Sequence, residues 1–333
     1  MRKLLLGTSL ASAMLVAGSA YAETKVSGYL ETTINTRETQ TSGTTGDSSP
    51  ATIGHETSID LKTSKELDNG MTMSAGFGVE DGTSTDQYVT LTSGSTSFSV
   101  GNDVSGVADN VSQEDFTPHV AQDFHSAGTG GNIQGIETAH GNNGIFVKHK
   151  TDMATIEAVY SPTAQASNGT GASAIATNST GVGSGYDVAI HGSFGIEGLK
   201  AGYGMSKAQS VTATENDQEG KGYGAKYTTG AFTIGAGRTI NQDVNTTTED
   251  KVTTYGVAYN VNDQLSLSVS AGKLEVEGNA TDEDYQSFQV GYDLGGMGIT
   301  LGYYQVENVG GTSGSDNENL EIRTVTKFYL SFL

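Results

Sequence analysis

Asp103, Asp109, Glu114, Asp115 and Asp123 fall within one stretch, Asp103 to Asn143, that holds no Lys or Arg. Carboxylates gathered without counter-charge beside a narrow, wet gap can set a field that sorts solutes by charge. In the same stretch His119, Asp123 and His125 stand close together, with His140 further on, and imidazole with carboxylate at such spacing can bind zinc or copper. Polar loop residues facing water need no metal to explain them, so no metal site is expected. Further acidic groups recur at Glu249 and Asp250, at Asp282, Glu283 and Asp284, and at Asp316 and Glu318. Oxygen-rich loops can hold calcium and bridge to anionic lipid headgroups, but none of these has an ordered ligand spacing, and solvated loops are the plainer reading. No nucleophile, base and orienting group stand in a recognisable arrangement, so no catalysis is expected.

The elements that must position these groups are strands. Val26, Gly28, Leu30, Thr32 and Ile34 alternate with Lys25, Ser27, Tyr29, Glu31 and Asn35, one apolar and one polar face. The alternation returns at Ile59 to Lys62, Met71 to Glu80, Gln87 to Thr92, Thr96 to Gly101, Ile145 to Lys150, Ala154 to Tyr160 and Tyr186 to Phe194. It continues at Leu199 to Ser206, Gly222 to Thr228, Ala231 to Ile240, Val252 to Val261 and Leu265 to Glu277, and ends at Tyr285 to Leu294, Gly298 to Glu307 and Leu320 to Leu333. About sixteen strands are expected. Short links such as Leu67 to Gly70 and Thr229 to Gly230 alternate with longer polar ones: Glu38 to Thr52, Asp81 to Thr85, the acidic stretch, Pro162 to Gly185, Lys207 to Lys221, Asn241 to Lys251, Gly278 to Asp284 and Asn308 to Asn319. An even strand count with short turns at one end and long loops at the other is the layout of a bacterial transmembrane barrel.

Export follows from the first residues: Arg2 and Lys3, an apolar run from Leu4 to Val16, then Ala20, Tyr21 and Ala22. These mark a cleaved signal peptide over 1–22, with a mature chain 23–333 beginning at Glu23. Without the two leader cations, 15 Lys+Arg stand against 38 Asp+Glu, a formal charge of −23. That balance excludes nucleic acid as a partner. Cys 0 means that no disulfide holds an exported fold. A chain that crosses a membrane without a long apolar helix must do so as a closed barrel, because lipid leaves no backbone group unsatisfied. The fold expected is therefore all-β, a single up-and-down antiparallel transmembrane barrel, with a long inward-folded loop at 103–143 after the fifth strand.

On these features the chain resembles a general diffusion porin of the Gram-negative outer membrane, of the alphaproteobacterial kind. The signal peptide, the strand count, the long segment after the fifth strand and the aromatic terminal strand Lys327-Phe328-Tyr329-Leu330-Ser331-Phe332-Leu333 carry the likeness across Glu23 to Leu333. Two features depart from it: Leu333 follows the last aromatic, and the Pro-Glu-Phe-Gly-Gly signature of enterobacterial relatives is absent. The resemblance implies a homotrimer of barrels in outer-membrane lipid and lipopolysaccharide, each narrowed by its third long loop and passing small hydrophilic solutes and ions without a cofactor. With the apolar phase toward lipid, the other phase lines the channel and carries Lys25, Arg37, Lys62, Lys148, Lys150, Arg323 and Lys327 as a basic wall facing the acidic loop. The excess of carboxylates implies a preference for cations. Rival readings are a substrate-selective porin, an adhesin or structural barrel acting through its long loops, and a barrel enzyme.

Overall fold

A computed structural model describes residues 22–40, 48–101, 107–121, 136, 144–162, 182–210, 217–242 and 247–332. The signal-peptide stretch up to residue 21 and Leu333 lie outside the described residues. Sixteen strands form one closed antiparallel barrel in which each pairs with its sequence neighbours and β1 closes on β16. They are β1 Glu23–Gln40, β2 Ser48–Glu66, β3 Thr72–Glu80, β4 Thr83–Ser93, β5 Thr96–Gly101, β6 Gly144–Lys150, β7 Ala154–Ser161 and β8 Val182–Gly192. The second half holds β9 Leu199–Ser210, β10 Gln218–Thr229, β11 Phe232–Gln242, β12 Asp250–Asn260, β13 Leu265–Val276, β14 Glu283–Asp293, β15 Met297–Glu307 and β16 Asp316–Phe332. Closure runs from Thr24 opposite Phe332 to Gln40 opposite Asp316, which fixes the register of the last strand.

The period-two alternation decides which phase faces out. Ile53, Val269 and Tyr255 are 65%, 58% and 59% exposed, whereas Ser99, Thr239, Gln289 and Asn319 on the other phase are buried. An apolar outside and a polar inside suit a barrel whose solvent outside is hydrocarbon. Among the described residues no helix is long and apolar enough to cross a membrane, and the crossing falls to the strands. Tyrosines mark the outward phase from β7 to β15, at Tyr160, Tyr186, Tyr203, Tyr223, Tyr255, Tyr292 and Tyr303 among others. Such rings favour the boundary between hydrocarbon and headgroups.

Several boundaries differ from the sequence expectation, and three of the differences bear on the architecture. Asp81 to Thr85 is no long connection: β3 and β4 meet through Asp81 and Gly82, both at positive φ (44° and 81°), the geometry of a two-residue primed turn. The first two strands run well past Glu38 and Thr52, since paired backbone continues into what reads as polar loop. Phe194 sits in the turn after β8, at φ 50°, and not in the strand.

Candidate channel lining and constriction

Between β5 and β6 the chain enters the barrel and forms a 3-10 turn, Asp109–Val111, and one helical turn, α1, Gln113–Phe116. Neither would persist alone in water, because a single turn fixes several dihedrals for one hydrogen bond. The wall holds them. Val107, Ala108, Val111, Phe116 and Ile136 form a buried cluster with Val159 and Ala189, and Phe146 packs against it.

The docking surface is paved with glycine. A Cβ placed on Gly202, Gly204, Gly222, Gly224, Gly235, Gly237 or Gly256 would come within 3 Å of the segment between Ala108 and Pro118 or of Ile136. Only a bare backbone permits that approach. Most of these glycines come as i, i+2 pairs on β9, β10 and β11, all on the inward phase. Hydrogen bonds then fix the register. The Gln113 amide N–H donates to Thr239 Oγ1 at 3.1 Å, and the Thr239 hydroxyl donates back to Gln113 Oε1. Ser270 donates to the Pro118 carbonyl at 2.7 Å, while Gln289 Oε1 accepts from the amides of Val120 and Ala121 at 3.0 and 2.9 Å. At the near end Asn110 Nδ2 donates to Glu157 Oε2 at 3.1 Å, and the same buried carboxylate holds Lys148 and His191. The described part of the segment thus lies flat along β7 to β14.

The opposite wall, β16, β1, β2 and β3, carries a different chemistry. Arg323 Nε stands 3.2 Å from Glu31 and 3.3 Å from Glu321, two carboxylates around one guanidinium. Tyr29 donates to Glu56 and lies 3.4 Å from Glu80. A cavity of about 1330 Å³ opens toward the short-turn end, with Tyr29, Arg323, Val325 and Lys327 on one side and Val120 and Ala121 of the loop on the other.

The residues singled out in the sequence fall as follows. Lys25 stands directly opposite Lys62 across the β1–β2 pair, Lys327 opposite Tyr29, and Arg37 opposite Asn319 near the long-loop end. Lys148 is tied to Glu157, and Lys150 ends β6. In the loop, Asp109 Oδ1 accepts the Ile136 amide at 3.1 Å, and Asp115 pairs with Lys200 at 3.0 Å. Glu114 occupies the first turn of α1. Asp103, Asp123, His125 and His140 lie outside the described residues. His119 Nδ1 is 2.7 Å from the Thr117 carbonyl, and no group of three metal-ligating side chains occurs among the described residues. The outer acidic groups have protein partners: Glu249 pairs with Lys251, and Asp282 and Asp284 with Lys273. The sequence reading passed over Lys200, Lys226 and the wall carboxylates Glu31, Glu56, Glu80 and Glu321. Their inward phase was available as a signal, being the phase of Lys25 and Lys62.

The model of the Gram-negative porin family matches residues 9–311. The chain belongs to the Gram-negative porins. Solved structures agree on the fold: an anion-selective porin from Comamonas acidovorans is superimposed with a TM-score of 0.67 at 11% identity, covering 92% of this chain and 100% of that one. OmpT of Vibrio cholerae, folded in vitro, gives 0.67 at 14% identity over 94% and 99% of the two chains. OmpF of Salmonella typhi, in complex with daunomycin, gives 0.66 at 12% over 91% and 97%. A search of curated proteins finds no match. As a porin the molecule is a transport channel of the Gram-negative outer membrane and not an enzyme.

Proposed function

We propose that this porin is a passive, water-filled channel for small hydrophilic solutes that passes cations more readily than anions. The observation that carries the reading is the Glu31–Arg323–Glu321 arrangement on the wall opposite the described part of the loop: the guanidinium there is outnumbered by carboxylates, so the passing ion meets net negative charge. The loop supports it, because Asp109, Glu114 and Asp115 bring no basic residue with them from 103–143. We further propose that the mature chain begins at Glu23, that 103–143 acts as the constriction, that the protein belongs to the alphaproteobacterial kind of porin, and that three copies assemble in lipid and lipopolysaccharide. Reversal potentials of the purified mature protein across a planar bilayer under a potassium chloride gradient test the selectivity. A cation-side potential is expected, and a preference for chloride would contradict it.

A further inference from the structure

The charges of the bore are separated along its axis. The short turns and the ends of β1 and β16 mark the periplasmic end, the long connections the outer end. Every inward-facing lysine of the described strands lies toward the periplasmic end. Lys25 is the third residue of β1, Lys62 faces it from β2, and Lys327 is opposite Tyr29 on β16. Lys148 and Lys150 close β6, Lys200 is the second residue of β9, and Lys226 sits near the end of β10.

Carboxylates hold the waist and the outer half. Glu31 and Glu321 flank Arg323, Glu56 lies beside Tyr29, Glu80 ends β3 at the outer end, and Glu283 begins β14 there. Asp187 lies on the same inward phase of β8, opposite Ser206. Against these, among the inward-facing residues of the described strands, stand Arg37 and Arg323. In the periplasmic half the lysines still outnumber Glu23, Asp60, Glu66, Glu157 and Asp293 on the wall and Asp115 on the loop, and Lys62, Lys150 and Lys327 have no ion pair among the described residues. Carboxylates in the turns and outer loops border both mouths, so they do not create the step.

We infer that the bore is a two-zone channel, negative outside and positive toward the periplasm, and therefore rectifies current; this rests on the channel reading above. The physics is that of counter-ion supply. Cations concentrate in the negative zone and anions in the positive one. With the outer side positive, both are driven inward to the junction and carriers accumulate; with the polarity reversed, both are drawn away and the junction is depleted. Screening sets the range: the Debye length is about 10 Å at 0.1 M salt, comparable to a bore, and about 3 Å at 1 M.

The test is single-channel recording of the whole mature protein at 0.1 M and 1 M potassium chloride. Orientation is fixed by biotin on a single Ser313→Cys, in the outer connection before β16, with streptavidin added to one chamber. Current should be about twofold larger with the outer side positive at 0.1 M, the ratio closing to near one at 1 M. Lys62→Gln with Lys327→Gln should lower that ratio and raise cation preference, while Lys65→Gln, on the outward phase opposite Met73, should leave it alone. Equal currents at 0.1 M from channels of ordinary conductance would overturn the two-zone inference and spare the channel. A ratio unmoved by the paired lysine change would overturn the assignment to these lysines. Absence of conductance would overturn the channel reading itself.

Discussion

The two sides of this barrel use the inward phase in opposite ways. From β9 to β12 its middle stretch is mostly glycine and short hydroxyls, and a segment of loop lies on it like a second layer. From β16 through β3 it carries Glu31, Glu56, Glu80, Glu321 and Arg323, away from the described loop residues docked on β9 to β14. The glycine side trades side-chain volume for loop contact; the charged side is the wall that, on the proposed reading, meets the solute. On that reading, selectivity and bore width are set on different walls and should be separable by mutation.

The largest expected effect comes from spoiling the docking track. Gly224→Leu together with Gly237→Leu would drive side chains into Phe116 and Gln113 at the centre of the docked segment, where overpacking costs about 1–3 kcal/mol per site. Single-channel conductance should rise by about twofold, within the span between a loop-narrowed and an open sixteen-strand bore. Gly296→Leu, in open space at a short turn, should change nothing. A smaller loss is expected from Thr239→Val, which leaves the buried Gln113 amide N–H and side-chain oxygen without their partner, at about 1–3 kcal/mol. Open-channel noise should increase with little change in mean conductance. On the opposite wall Arg323→Gln removes the cation between Glu31 and Glu321, and the reversal potential should move further toward the cation limit with conductance nearly unchanged.

The strands were legible because half-burial in lipid leaves a period of two, and Val26 to Ile34 or Leu265 to Val269 show it without interruption. The loop was legible only as an absence of pattern. Its inner path was not, because α1 is too short to have a periodicity and its position depends on glycines in strands far along the sequence. Gly202 and Gly204, or Gly235 and Gly237, look like weak strand positions until something is seen to lie on them. The charges divided in the same way. Phase alone placed Lys25 and Lys62 together, but that Arg323 is flanked by two carboxylates needed the β1–β16 register.

The smallest effects belong to the outer rim. Lys251→Ala breaks an exposed pair with Glu249 and should alter stability by under about 0.5 kcal/mol, readable as an unchanged unfolding midpoint in detergent. Just before β10, Asp217 accepts the Ser210 amide at 3.0 Å and pairs with Lys207, and these hold its carboxyl below its ordinary value of 3.8, the amide contributing most. A lowered folded value means that this tether is intact above the ordinary range and lost only as pH falls through the lowered one. Hydrogen exchange at the Ser210 amide should stay protected at pH 5 and quicken only well below 3.8.

Water on the β16–β2 side and none beneath the loop is the claim that a cysteine scan addresses most directly, since the natural chain has Cys 0. Single variants Lys62→Cys and Thr254→Cys, exposed to a charged, water-soluble thiol reagent during bilayer recording, give opposite expectations. Current through Lys62→Cys should drop in discrete steps, while Thr254→Cys, fully buried under the Gln113 and Thr117 contacts, should not respond. Rapid block at Thr254→Cys with no response at Lys62→Cys would contradict the account.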